Sequence, residues 1–374
     1  MTNRAALFAV CTAFATGLLA SLALRPAGQA LPASADNQNA INQQLRVSTE
    51  RLRWRIPVAF NTNLPGLGDN ILYVAKALRE ASGGRLDFDI YEPGEIVPAF
   101  SIVDAVRDNK VEAGYTWLGY DQGKIPASAL LGAVPFGLEP WEYNAWWYEG
   151  GGEELGQALY ARHGVHLLLC GIIGPETAGW FRDPINTLSD VQGLKIRFAG
   201  LGGRVISELG ASVTMLPGGE IFQALEKGAI DATEYSLPNV DQQLGFNRVA
   251  KLNYFPGWHQ PSTSSHLAIN ADRWNALAAA DQAAIEMACT AGVTRNLARA
   301  EQLQGSVIAN FPNVGVTAGK LPEPLLRELY SVAQQVMQDE AEQDADFAKI
   351  LASQNSFRAD YQHWKKLAYL PRDF

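Results

Sequence analysis

One structural unit is written twice into this chain. Ile102 to Thr116 (IVDAVRDNKVEAGYT) aligns without gaps to Ile221 to Tyr235 (IFQALEKGAIDATEY), with Ala105 opposite Ala224, Val106 opposite Leu225, Val111 opposite Ile230 and Ala113 opposite Ala232. Each copy reads as a helix, a polar turn and a strand. In parallel α/β sheets, ligands sit beyond the carboxyl ends of the strands. Two such lobes face to face would set Tyr115 and Thr116 across one cleft from Glu234 and Tyr235.

The surrounding sequence keeps the same rhythm. Strands are expected at WRIPVAF (54–60), RLDFDIY (85–91), HLLLCGII (166–173), LKIRFA and SVTML (212–216), with helices at about 69–82, at 101–109, and after Gly203 and Gly218. Strands alternating with short helices predict an α/β fold with largely parallel sheets. From Arg273 onward the pattern turns helical, over 274–303, 322–342 and 344–367. The 374 residues exceed what one core usually organises, so two lobes are expected.

The amino end points to export. Arg4 precedes an Ala/Leu-rich run from Ala5 to Leu24, and Ala33-Ser34-Ala35 supplies a small-residue cleavage site. The reading is a signal peptide over 1–35, a polar, disordered lead-in over 36–50, and a periplasmic location. Cys11 lies inside the leader. Cys170 and Cys289 remain, both in apolar contexts, and two buried thiols are expected there, although sequence leaves a disulfide open. A net charge of −9 and the lack of Lys/Arg blocks argue against nucleic acid or an anionic membrane as partner.

Chemistry concentrates at Leu194 to Gly210 (LKIRFAGLGGRVISELG). A strand delivers Arg197, whose planar fork of donors matches a carboxylate. Gly200, Gly202 and Gly203 then open a helix, where backbone N–H groups face outward. This combination suits a small organic anion. Enzyme signatures are missing: there is no G-x-S-x-G elbow, P-loop or H-E-x-x-H, and Val205 stands where a dinucleotide fingerprint needs its third glycine. Glu176 and Glu234 could in principle serve glycoside chemistry, but the arginine beside them favours an anion. A ligand-sensing clamshell subunit for a membrane receptor is the other alternative.

Several long segments, WFRDPINTLSDVQGLKIRFAGLGG, LPGGEIFQALEKGAIDATEY, FPGWHQP, LPGLG, GKIPASALLGAVPFGLEPWEY and WWYEGGG, resemble the solute-binding subunit of TRAP (tripartite ATP-independent periplasmic) transporters. The branch most resembled binds 2-oxoacids and lactate. The resemblance implies a type II-like periplasmic-binding-protein clamshell with a largely helical C-terminal segment. Its lobes would be 51–165 and 166–260, with 261–374 as hinge return and C-terminal helices packing on both. It also implies a small organic acid anion as ligand, a TRAP membrane permease as partner, a possible homodimer, and no catalysis.

Residue roles follow from the same resemblance. Arg197 stands where the family grips the substrate carboxylate, and Tyr120 falls on the first-lobe side of the pocket. Glu234, Tyr235 (through its carbonyl) and Gln260 stand at cation-ligand positions, and such oxygen donors suit sodium or calcium. Glu176, assigned to the substrate pocket, replaces a glutamine of the branch. A second carboxylate there is repulsive unless a cation or proton intervenes, which implies a divalent ion or a different ligand. His259, in FPGWHQP, reads equally as cleft lining or as a structural hydrogen bond.

Overall fold

Residues 50–371 are described by the computed structural model. The expected leader and all but the last residue of the lead-in lie outside the described residues. Among the described residues, no helix is long and apolar enough to cross a membrane.

In the first lobe, β1 (Leu52–Pro57) pairs in parallel with β2 (Leu86–Tyr91), and β3 (Ala113–Thr116) continues beside β1 through a Val58–Tyr115 bridge. The alternation in LRWRIP and LDFDIY turns Trp54, Ile56, Leu86 and Phe88 into one core. Helix α1 (Asn70–Ala81) covers that core with Ile71, Val74 and Leu78, spaced for a single helical face. Helix α2 (Ile102–Arg107) leads into β3. Helices α3 (Pro140–Glu149) and α4 (Gly152–Ala161) precede β4 (Val165–Ile173), all but one of whose residues are buried.

The chain enters the second sheet at β5 (Gly179–Phe181). It continues through β6 (Lys195–Arg197), α5 (Gly200–Glu208), β7 (Ser212–Thr214), α6 (Gly218–Glu226), β8 (Ala232–Thr233) and β9 (Leu252–Phe255). Strand β10 (Thr263–Asn270) then returns to the first lobe and inserts between β3 and β4. Helix α7 (Ala279–Asn310) packs along β4, and β11 (Thr317–Lys320) completes a second sheet of order β11-β9-β5-β8-β6-β7. Of the last two helices, α8 (Glu323–Gln343) packs on α5 of the second lobe, with an Arg204–Glu340 ion pair at 2.9 Å, and α9 (Ala345–Ala368) packs on α3 and α4 of the first.

Three expectations change. The sheets are mixed, because β10 runs antiparallel to both β3 and β4 on its way back, and β5 is antiparallel to β8 and β9. Cys170 and Cys289 form a disulfide rather than two thiols, since α7 lies directly on β4. Tyr115 does not face the cleft: side chains alternate along β3, which buries its ring in the first-lobe core, and its hydroxyl meets Asn70.

Candidate functional site

Two of the segments that cross between the lobes, one around Glu176 and one over 256–263, meet at the site. They touch so closely at Gly257 that a Cβ there would meet the Glu176 carbonyl oxygen at 2.2 Å. The Glu176 N–H also donates to the Gln260 carbonyl at 3.2 Å. The strand end after β6 supplies Arg197 and Ala199, and the strand end after β8 supplies Glu234 and Tyr235. These groups surround a cavity of about 20 Å³, which Phe60, Leu67, Trp117 and Tyr120 close from the first lobe and Gln260 and Thr263 from the crossing. The site residues that the family resemblance implied, Arg197, Glu176, Tyr120, Glu234, Tyr235 and Gln260, line one cavity, whereas Tyr115 and Thr116 do not line it. A larger cavity of about 380 Å³ on another face of the crossing has an apolar lining of Phe136, Trp141, Trp258 and four prolines, and does not share these groups.

Arg197 is buried. Its Nη1 donates to Glu234 Oε1 and to the Glu234 carbonyl, both at 2.8 Å, and its Nε donates to the Leu216 carbonyl at 3.1 Å. Its guanidinium carbon also lies 5.2 Å from the centre of the Tyr235 ring. Burial opposes the charge on Arg197, but Glu234 outweighs it and holds the guanidinium above its ordinary range. For Glu234 burial likewise opposes ionisation, and the charge of Arg197 together with the donors around it keeps the carboxyl below its ordinary value. The Ala199 N–H donates to Glu234 Oε1 at 2.5 Å, so a carboxylate already occupies the start of α5. The glycines after it serve protein packing: Gly200 has φ +65° with the Trp117 ring 2.8 Å from where a Cβ would stand, and a Cβ at Gly202 would meet that of His259 at 2.6 Å.

Glu176 is buried, not a solvent-facing loop residue. The cation beside it is His259, a residue whose part sequence reading left undecided. Its Nε2 lies 3.6 Å from Glu176 Oε2 and 3.6 Å from Glu234 Oε2, ion-pair rather than hydrogen-bond distances. Burial alone would lower the His259 pKa; the two carboxylates overcome it and push it up to about 9. Desolvation raises Glu176 above its ordinary value, and His259 partly offsets this. Only a fold that brings residues 176, 234 and 259 together makes the histidine legible as a counter-ion.

The crossing also carries a short hydrogen-bonded chain. The Gln260 amide is best satisfied with its nitrogen toward Thr263 Oγ1 at 2.6 Å and Glu176 Oε1 at 3.0 Å, and the Thr263 hydroxyl donates to Glu176 Oε1 at 2.9 Å. Glu234 Oε2 is buried without a hydrogen-bond partner. Glu176, Glu234 and His259 offer ligand atoms within 4.8 Å of one another. An orphaned carboxylate oxygen and an amide oxygen released by this orientation fit a hard cation such as sodium or calcium. Tyr120, tilted against Phe100 and edge-on to Trp117, has a hydroxyl pushed up to about 12 by burial, so it acts as a neutral donor.

The profile of the DctP family, described as bacterial extracellular solute-binding protein, family 7, matches residues 65–344. A monocarboxylate 2-oxoacid-binding periplasmic protein of Nostoc sp. is 35% identical over 319 residues, 84% of this chain and 86% of the relative. A TRAP transporter solute-binding protein of Bordetella bronchiseptica, crystallised as a mixed-occupancy dimer with calcium and picolinate, is 31% identical with a TM-score of 0.84, covering 85% of this chain and 95% of the other. A TRAP periplasmic solute-binding protein of Pseudoalteromonas atlantica with bound sodium and pyruvate is 30% identical with a TM-score of 0.82, covering 85% and 97%.

Proposed function

The chain belongs to the DctP family of TRAP solute-binding proteins, and on that footing we propose that it captures a small 2-oxo or 2-hydroxy monocarboxylate with a cation in the periplasm. The bound acid is handed to a TRAP membrane permease. One observation carries this reading: an arginine, two carboxylates, an amide and a neutral tyrosine converge on one buried cavity between the lobes. The relatives that hold pyruvate or picolinate beside sodium or calcium support it.

In this reading Arg197 receives the ligand carboxylate, with Tyr120 as a further donor. Glu234 Oε2, the Gln260 amide oxygen and the Tyr235 carbonyl hold the cation, which supplies positive charge to the ligand's 2-oxygen. Solved relatives hold pyruvate with sodium or with calcium, and the oxygen donors here suit either ion. A cavity of about 20 Å³ holds a single water. A three-carbon acid therefore enters when the lobes part, and its tighter hold on the closed form draws them together. The event in this reading is capture without turnover, the role that the solute-binding family implies.

The test is a thermal-shift and calorimetric screen of ligand-stripped protein. It uses pyruvate, lactate, longer 2-oxoacids, dicarboxylates and sugars, each with sodium, calcium or chelator. A ligand at a hundredfold excess over its Kd adds about 2.7 kcal/mol. A cation-dependent rise with a 2-oxo or 2-hydroxy acid, recovered unchanged afterwards, is the expected result. Rises with dicarboxylates or sugars alone would overturn the substrate class.

A further inference from the structure

The ligand cavity has a wider neighbour at the mouth of the cleft. This outer cavity, of about 310 Å³, is lined by Ala59 and Asn61 from the first lobe and by Gly218, Gly219, Glu220 and Tyr235 from the second. The rest of its wall is proline, glycine and alanine. Tyr235 lines both cavities, and Phe60 of the inner one directly follows Ala59 of the outer one. The Tyr235 ring thus stands between the grip and the space outside it.

Tyr235 divides its two ends between these spaces. Its ring faces the Arg197 guanidinium, whose carbon lies 5.2 Å from the ring centre. Its hydroxyl reaches the first turn of α6, where a Cβ at Gly218 would overlap it and only glycine leaves it room. The residue is 8% exposed, and its hydroxyl has no hydrogen-bond partner among the described residues. Burial holds the hydroxyl well above the ordinary tyrosine range, so it is a neutral donor.

Helix α6 adds donors of the same kind. Pro217 precedes it and offers no side-chain cap, so the N–H groups of Gly218 and Gly219 have no partner within the helix. Three donors therefore gather at one end of the outer cavity. Among the described residues that line it, the exposed Glu220 is the one charged group. An anionic end would find donors there but no counter-ion, and would meet Glu220 as a like charge. An uncharged carboxamide fits better: its oxygen accepts from the three donors, and its NH₂ donates to Glu220 or to the Asn61 amide oxygen.

We propose that the outer cavity receives the far end of the ligand and that this end is an uncharged carboxamide, carried by a 2-hydroxy or 2-oxo monocarboxylate whose chain passes Tyr235. The inference rests on the reading of Arg197 and the cation ligands given above. The first carbons of the chain keep to the aromatic wall of the inner cavity, and the amide meets the Tyr235 hydroxyl and the start of α6.

The test is calorimetry on ligand-stripped protein with a series of 2-hydroxy acids. The series is lactate, 2-hydroxyglutaramate, its apolar isostere 2-hydroxy-5-methylhexanoate, and 2-hydroxyglutarate, whose far end is charged. The amide should bind at least about tenfold tighter than both the isostere and 2-hydroxyglutarate. Glu220→Lys, at an exposed position, should reverse the order of the amide and 2-hydroxyglutarate and leave lactate unchanged. Tyr235→Phe keeps the ring and the backbone carbonyl, and should lower the ratio of amide to lactate affinity at least about threefold. An amide no tighter than its isostere, a preference of the unaltered chain for 2-hydroxyglutarate, an order unmoved by Glu220→Lys, or a ratio unmoved by Tyr235→Phe would each overturn the proposal. Lactate bound without any preference for the amide would sink this inference alone; no binding of lactate or pyruvate would overturn the reading beneath it as well.

Discussion

The two sides of the main cavity are made of different materials. The first lobe offers Phe60, Leu67, Trp117 and Tyr120, a wall of rings and one aliphatic chain. The second lobe and the crossing offer Arg197, Glu234, Glu176 and Gln260, a wall of charges and an amide with His259 set against the two carboxylates. The polar wall can hold what every 2-oxo acid shares, its carboxylate and its 2-oxygen. In the proposed reading, the aromatic wall would meet what distinguishes one acid from another, the side chain. Affinity and selectivity should therefore be separable by mutation.

The largest effect is expected at Arg197. Arg197→Ala leaves Glu234 buried without its partner, which costs about 3–5 kcal/mol of stability, and it should remove carboxylate binding altogether. Calorimetry and urea unfolding on the same preparation read both losses; intact binding would move the grip elsewhere.

The aromatic wall hides a titrating group directly behind Tyr120. Burial pushes Asp121 up to about 7, with Tyr160 as its hydrogen-bond partner at 3.3 Å. The folded form thus keeps a proton that the unfolded chain releases near pH 4. Stability from this group is complete below about pH 4, and falls by roughly 1.4 kcal/mol per pH unit until about pH 7. Asp121→Asn should flatten that part of a urea-midpoint profile, and an unchanged slope would reject the assignment.

A smaller coupling should join Glu176 and His259. Glu176→Gln and His259→Asn each unbalance the polar wall, whereas the double variant restores neutrality. A coupling of about 0.5–3 kcal/mol in pyruvate binding is expected from the double-mutant cycle; strict additivity would mean that the two do not act as a pair. The smallest effect belongs to Tyr120→Phe, which removes one donor and keeps the ring. It should weaken pyruvate by about tenfold or less and leave the ranking of longer 2-oxoacids nearly intact.

Much of this arrangement was legible in the amino acids, and the failures are instructive. The helix–turn–strand echo marked both strand ends that meet at the cleft. It set Tyr115 and Thr116 at the cleft, whereas the cavity is lined by Trp117, just past the strand end, and every residue of the strand itself is buried. Arg197 and Glu234 were readable from the family's segments, but their mutual pairing was not. Nor was the part played by His259: a lone histidine beside a tryptophan has no spacing signal, and its charge is set by carboxylates from two other segments. The antiparallel return of β10 and the Cys170–Cys289 bond escaped for a related reason, since both depend on which distant segments become neighbours.

The contact between Gly257 and the Glu176 backbone bears on how such a protein can change its diet over evolutionary time. Residues of the aromatic wall can be exchanged one by one, each altering the fit to a new side chain. Position 257 allows no such gradual route, because any side chain there pushes on the very backbone that carries Glu176. A descendant can therefore acquire a new taste through the first lobe, while the crossing and the grip it supports must be inherited as one piece.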